Sequence, residues 1–263
     1  MNYLDFLREV HRLLEPPTYL EVGVRTGESL ALSRARSIGI DPEFTIKAAL
    51  DCHLTLFRTT SDAYFRGVDP LAPLGRQPIA LSFIDGMHLF EFALRDFLNI
   101  ERHSGPAGVI VLDDMLPRSV DEAARDRHTT AWTGDVYKLD AVLEQHRPDL
   151  IRVLVNTRPT GLLLVLGLDP ANNQLANLHD ALVQQWVRPD PQEIPEGVLD
   201  RRDAVDPRAV LDAPFWSFLR DAWRHPQPGA VNVSELRHLV EEGLGGRRPG
   251  RLQQAVRRLQ HRS

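Results

Sequence analysis

Two short apolar runs, residues 79–84 and 109–112, each end in carboxylates, and that pairing leaves the chain few folds to choose from. The first runs into Asp85-Gly86-Met87-His88, the second into Asp113-Asp114-Met115. Unbroken apolar runs of this length read as strands buried on both faces of a parallel sheet. Residues 89–101 between them are rich in helix formers, and Ser104-Gly105-Pro106 reads as a stop. Strand, helix, strand in this order makes parallel neighbours whose C-terminal ends share one sheet edge. Asp85, His88, Asp113 and Asp114 should therefore converge. Three carboxylates in one place repel each other unless a cation lies among them, and oxygen ligands suit a hard ion such as Mg2+. Either acid motif alone is ordinary turn or capping chemistry. Both together, with His88 on the opening turn of the next helix, favour a metal held by Asp85, Asp113 and Asp114. A histidine beside it, with a pKa near neutrality, suits a general base.

Earlier in the chain, residues 2–15 have the apolar spacing of a helix that Pro16-Pro17 ends, packed on the outside of the domain or lying over a ligand. Tyr19-Leu20-Glu21-Val22-Gly23-Val24-Arg25-Thr26-Gly27-Glu28-Ser29 reads as strand, glycine turn and a helix starting near Thr26. It is neither a full G-x-G-x-x-G fingerprint nor a P-loop. The acid two residues before Gly23 suits a ligand with a positive group better than a pyrophosphate. A second strand ends at Asp41, 18 residues after Gly23, where an acid of a doubly wound sheet bonds ribose hydroxyls. A third strand, residues 54–59, is followed by Ser61 and Asp62, which either reach a base edge or cap the next helix. Glu91 is expected to face outward or bond an arginine. Residues 117–127 read as a surface loop or short helix near the crevice. Trp132 and Tyr137 are candidates for stacking on an acceptor, with a core role for Trp132 as the alternative.

Residues 150–155 and 161–168 are joined by too short a link to be anything but antiparallel. The fold expected is α/β: a doubly wound, mostly parallel sheet with an antiparallel C-terminal hairpin at its edge. A domain spanning residues 1–187 would be followed by a Pro-rich connection and helical extension over 188–244. The last stretch, 245–263, has six arginines and no acid and reads as a loosely ordered tail. A formal net charge of −5 over 263 residues argues against a dedicated nucleic-acid binder. Cys52 is the one cysteine, so no internal disulfide can form. The start lacks the basic residues and apolar core of a signal, and the longest apolar run, 162–168, is too short to span a bilayer. A cytoplasmic protein with no membrane span is expected. A homodimer is the prior for its assembly.

The Glu21–Gly27 turn with Asp41 resembles the first motifs of class I S-adenosylmethionine-dependent methyltransferases, whose Rossmann-like sheet has seven strands and a closing hairpin. Asp85-Gly86-Met87-His88, Asp113-Asp114 and Trp132-x-Gly134-Asp135-Val136-Tyr137-Lys138 are similar to the Mg-dependent sugar O-methyltransferases, among them the macrocin and mycinamicin enzymes and actinobacterial glycan methyltransferases. The resemblance implies S-adenosyl-L-methionine held by Glu21, Gly23, Thr26, Gly27, Ser29, Asp41, Ser61, Asp62 and Asp85. It implies Mg2+ or another divalent cation on Asp85, Asp113 and Asp114, with His88 or Asp85 as base and a sugar or oligosaccharide acceptor. A catechol-like acceptor, a metal-dependent glycosyltransferase and a cofactor-binding subunit without chemistry are the rival readings.

Overall fold

The structure, a computed structural model, describes residues 1–227 and 229–245. The tail expected beyond residue 245 lies outside the described residues. The chain opens with helix α1 (Tyr3–Leu14), capped by the Asn2 side chain, which accepts from the Leu4 amide. Strands β1 (Thr18–Val22), β2 (Arg36–Ile40) and β3 (Leu54–Phe57) follow, then α2 (Ser61–Phe65) and β4 (Ile79–Ile84). Helix α3 (Phe90–Arg102), strand β5 (Ser104–Leu112), helix α4 (Lys138–His146) and strands β6 (Ile151–Val155) and β7 (Leu162–Leu166) complete the sheet. The remaining helices are α5 (Gln174–Trp186), the short α6 (Glu196–Leu199) and α7 (Pro207–Leu211), α8 (Phe215–Arg224) and α9 (Val233–Gly243).

The seven strands lie in the order β3-β2-β1-β4-β5-β7-β6. All neighbours are parallel except β7, which is antiparallel to both β5 and β6. This is a Rossmann-like, doubly wound sheet of seven strands. The closing hairpin lies at the sheet's edge as expected, but its antiparallel strand, β7, is the inner of the two and β6 the outermost. The chain leaves β5, passes through α4 and enters the sheet one place further out as β6; β7 then turns back into the gap. A second departure is the expected helix after Gly23, which is absent. The Arg25 and Thr26 carbonyls accept from Thr45, Lys47 and Ala48 instead of from a following helical turn, leaving only a 3-10 turn at Leu30–Leu32. The helix after β4 stops at Arg102, just before Ser104-Gly105-Pro106, and those residues open β5.

Because side chains alternate along a strand, the sheet buries two separate apolar faces. One face, with Leu20, Ile38, Ile110 and Leu163, packs against α3, α4 and α5. The other, with Tyr19, Phe83, Val111 and Leu164, packs against Phe6, Leu7, Val10 and Leu14 of α1. The same face is covered by Phe215, Trp216 and Leu219 of α8 and by Leu236 and Val240 of α9. Residues beyond 188 thus form part of one layer of the sheet's own core. Trp216 is 2% exposed, and its indole N–H donates to the Val210 carbonyl at 2.8 Å. Trp216→Ala removes that bond and leaves a large cavity, and should cost about 3–5 kcal/mol. Urea unfolding followed by circular dichroism measures it.

Candidate active site

Register places the site. Val22, Ile40 and Ile84 pair across β1, β2 and β4, and Ile84 pairs with Leu112, so these strands end level. The ladder then runs one residue further. The amides of Gly23, Asp41, Asp85 and Asp113 donate to Ile40, Phe57, Val22 and Ile84 at 2.8–3.1 Å. Those four residues therefore stand in a row along the C-terminal edge, where open α/β sheets bind ligands. Gly23, at φ +91°, has a second constraint: a Cβ there would sit 1.9 Å from the Asp85 carbonyl oxygen. A crevice of about 590 Å³ opens over the row.

At its centre is His88, at φ +57° in the loop before α3, not on the helix's opening turn as expected. The helix begins at Phe90, whose amide donates to the Asp135 carboxylate at 2.8 Å, so its cap comes from a distant segment. His88 Nδ1 lies 2.7 Å from Asp114 Oδ2, and Nε2 lies 3.2 Å from Asp85 Oδ1. An imidazole that faces an acid at both nitrogens is held best as the imidazolium. Burial works against that charge, but the hydrogen bonds and charges of Asp114 and Asp85 outweigh it and push the His88 pKa up to about 11. Burial, then the charges of Asp114 and Asp85, raises Asp113 well above the usual carboxylate range. The Trp132 ring stacks on His88 at 5.2 Å and 4°, and its N–H donates to the Ala124 carbonyl at 2.6 Å. Arg25, His88 and Asp114 are non-glycine residues at positive φ, and all three line this crevice. Such backbone strain collects at functional sites.

The structure brings some of the sequence-derived residues together and not others. Asp85, His88 and Asp114 each offer a donor atom within 4.8 Å of the others. Asp113 stands outside that group, with one oxygen accepting from the Asp114 amide at 2.7 Å. Two carboxylates and an imidazole that converge in this way are a donor set a divalent cation can take. Asp41 lines the crevice and accepts from the Arg25 and Glu43 amides at 2.8 and 2.7 Å. Ser61 and Asp62 also line it, although Asp62 is held by Arg95 at 3.0 Å. Glu91 bonds Arg125.

Glu21 does not face the crevice. It is fully buried, with its carboxyl between the Tyr19 hydroxyl at 2.6 Å and the Ser29 hydroxyl at 2.8 Å. Inward-facing alternation along β1 turns it under the turn, and Ser29 goes with it. Thr26 and Gly27 pack against the segment around Ile46 instead of the crevice. Tyr137 is buried beside Leu116 and Val198, away from the opening. Tyr3 and Asp96 are among the lining residues that went unread in the sequence. Tyr3 reaches the crevice because its amide donates to the Arg158 carbonyl and the Arg158 amide to Met1, tying the start of α1 to the β6–β7 link. Nothing in the sequence marks that contact. Asp96 did carry a signal: it falls in the stripe of Ala93, Phe97 and Ile100 that α3 buries.

With this geometry in view, similarity to known proteins can be read. Residues 20–115 match a family model described as a methyltransferase domain, and the match contains the whole row of strand ends. The matched stretch is a little over a third of the chain. No curated protein matches the chain. Among solved structures it is similar to the O-methyltransferase TomG from Streptomyces achromogenes, involved in tomaymycin synthesis and bound to S-adenosylmethionine. Identity there is 19%, over 64% of this chain and 80% of that one, with a TM-score of 0.49. An O-methyltransferase from Bacillus cereus is 14% identical over 63% and 80%, with a TM-score of 0.43. The methyltransferase PaMTH1 of Podospora anserina is 14% identical over 64% and 78%, with a TM-score of 0.45.

Burial pushes the Glu21 pKa up to about 8, although the Tyr19 and Ser29 hydrogen bonds partly oppose it. Between about 4.5 and 8 the unfolded chain ionises Glu21 while the folded one does not. The stability from this group is therefore full at low pH and falls as pH rises, by about 1.4 kcal/mol per unit. Glu21→Gln, which cannot titrate, should gain on the wild type steadily across that window in urea midpoints read at several pH values.

Proposed function

We propose that the chain is an S-adenosylmethionine-dependent O-methyltransferase that methylates a hydroxyl of a sugar or glycan with the help of a divalent cation. The observation that carries this is the level row of strand ends. It sets Asp41, at one end of the crevice, beside the Asp85–His88–Asp114 group at the other. Asp41 can bond vicinal ribose hydroxyls with the lone pairs its backbone partners leave open. The methyl donor supplies a sulfonium, so the methyl carbon needs no further activation. The acceptor is the difficulty, because a sugar hydroxyl is a very weak acid. A cation held among Asp85, His88 and Asp114 would supply Lewis acidity that lowers the pKa of a hydroxyl.

The chain's own residues do the rest. In the transfer, the hydroxyl oxygen bonds to the methyl carbon, the carbon–sulfur bond breaks, and the thioether leaves with that electron pair. The hydroxyl proton passes to the Asp85 carboxylate, because His88, held by an acid at each ring nitrogen, has no lone pair left to take it. Trp132 holds the imidazole plane, so its part lies in fixing His88 rather than in stacking on the acceptor. The rate comes mainly from holding oxygen, carbon and sulfur in line. Among the described residues no helix is long and apolar enough to cross a membrane. We read the protein as working in the cytoplasm on a small or oligosaccharide acceptor.

Calorimetric titration with S-adenosylhomocysteine, first with Mg2+ and then with EDTA, should give micromolar binding in both. Absence of heat under either condition sinks the proposal. Titration with Mn2+ should change the tryptophan emission, because Trp132 lies on His88. The change should disappear in Trp132→Phe and need at least tenfold more metal in Asp114→Ala. An unaltered curve in the second variant would remove Asp114 from the metal group.

A further inference from the structure

Outside the crevice, one corner of the chain is bonded more heavily than an exposed connection needs. Asp190 follows α5, in the stretch that the sequence marks as a Pro-rich connection. It turns both carboxylate oxygens onto the loop between β5 and α4. Its Oδ1 accepts from the Arg125 amide and its Oδ2 from the Asp126 amide, each at 3.0 Å. Gln192, 4% exposed, donates to the same Oδ1 at 2.7 Å and accepts from Lys138 Nζ at 2.6 Å. Burial opposes the Asp190 charge, but the Asp126 amide, the Gln192 side chain and the Arg125 amide outweigh it and hold the carboxyl below the usual carboxylate range. Two routes lead from this corner to His88. In the first, the gripped amides adjoin the Ala124 carbonyl, which accepts the Trp132 indole N–H at 2.6 Å. Trp132 stacks on His88, and its carbonyl lies 3.0 Å from His88 Nδ1. In the second, Lys138 pairs with Asp135 at 2.7 Å, and Asp135 accepts from the amide of Phe90, two residues after His88. Among the described residues, 127–131 bond only within 121–132, so the place of that loop rests on the ties at its two ends.

We propose that Asp190 is a positioning residue for His88: its carboxylate seats the β5–α4 loop, and through that loop Trp132, on the imidazole. Coupling between separated residues runs through packed and hydrogen-bonded neighbours, and every link of this route is in contact with the next. The need for it lies in the backbone. His88 stands at φ +57°, and a strained residue keeps its place only when its surroundings over-determine it. What His88 does in methyl transfer rests on the function proposed above, whereas its seating by Asp190 is independent of the reaction.

The test reads Trp132 in the folded full chain. Its emission is the difference between each protein and the same protein carrying Trp132→Phe, since Trp186, Trp216 and Trp223 also emit. In Asp190→Ala, acrylamide should quench that emission about twofold more strongly than in the wild type, as the loop opens locally. The side-chain oxygen of Asp190→Asn can still accept from one of the two amides while its NH2 group faces the other, so this variant should fall between. Asp200→Ala removes an exposed acid of the same connection, one that pairs with Arg202, and should quench like the wild type. An unchanged Trp132 signal in Asp190→Ala overturns the inference, and so does an equal change in Asp200→Ala, which would mean general loosening. Calorimetric titration with Mn2+ is the second readout. Its dissociation constant should rise about tenfold in Asp190→Ala, as for other residues that orient metal ligands. An unaltered constant overturns the inference as well, because His88 is then placed without Asp190. Failure of the wild type to take up Mn2+ counts against the metal proposal instead, and the Trp132 signal then decides alone.

Discussion

Four backbone hydrogen bonds, each one residue past the end of a strand, hold the functional part of this molecule together. They extend the parallel ladder just far enough to fix Gly23, Asp41, Asp85 and Asp113 at one height. Parallel pairing does the geometric work here. Strands running the same way deliver all their C-terminal ends to one edge, and level registers turn an edge into a row. The side chains then need no precision of their own. A one-residue slip between β4 and β5 would turn an acid from the crevice into the core.

That row concentrates negative charge, and the chain answers it with a single histidine. His88 lies between Asp85 and Asp114, is stacked on by Trp132, and has Gly134 against its backbone, where a Cβ would come 1.7 Å from the His88 carbonyl oxygen. The positive φ of His88 and Asp114 is the strain accepted to bring the three together. Arg125 supports the arrangement from behind, pairing with Glu91 and with Asp135, the residue that caps α3.

The parts legible in the sequence were those written in hydrophobic pattern. Residues 79–84 and 109–112 could only be buried parallel strands, and acids after them could only gather at one edge. Asp41 followed from the same logic. What stayed hidden depended on contacts between distant segments. The turn after Gly23 looks helical by composition, but its carbonyls are claimed by residues 45–48. Glu21 looks like a ligand-facing acid until strand alternation turns it toward Tyr19 and Ser29. Tyr137 shares a motif with Trp132 yet faces the core, since the chain between them enters a turn. Tyr3 enters the crevice through a bridge to the β6–β7 link, which no local pattern encodes. Asp96 was readable in principle, as an acid in the apolar stripe of α3.

The layer built from α1, α8 and α9 also governs the order in which the protein can be made. Tyr19, Phe83 and Val111 emerge from the ribosome long before Trp216, Leu236 and Val240, which cover the same face. For most of synthesis the sheet has one side closed by its own crossover helices and the other covered by α1 alone. Chains emerge at about 5–20 residues per second, so roughly 3 to 15 seconds separate the last strand from its cover. During that interval the nascent chain is a natural client for a holding chaperone, and slow codons late in the message would lengthen the exposure.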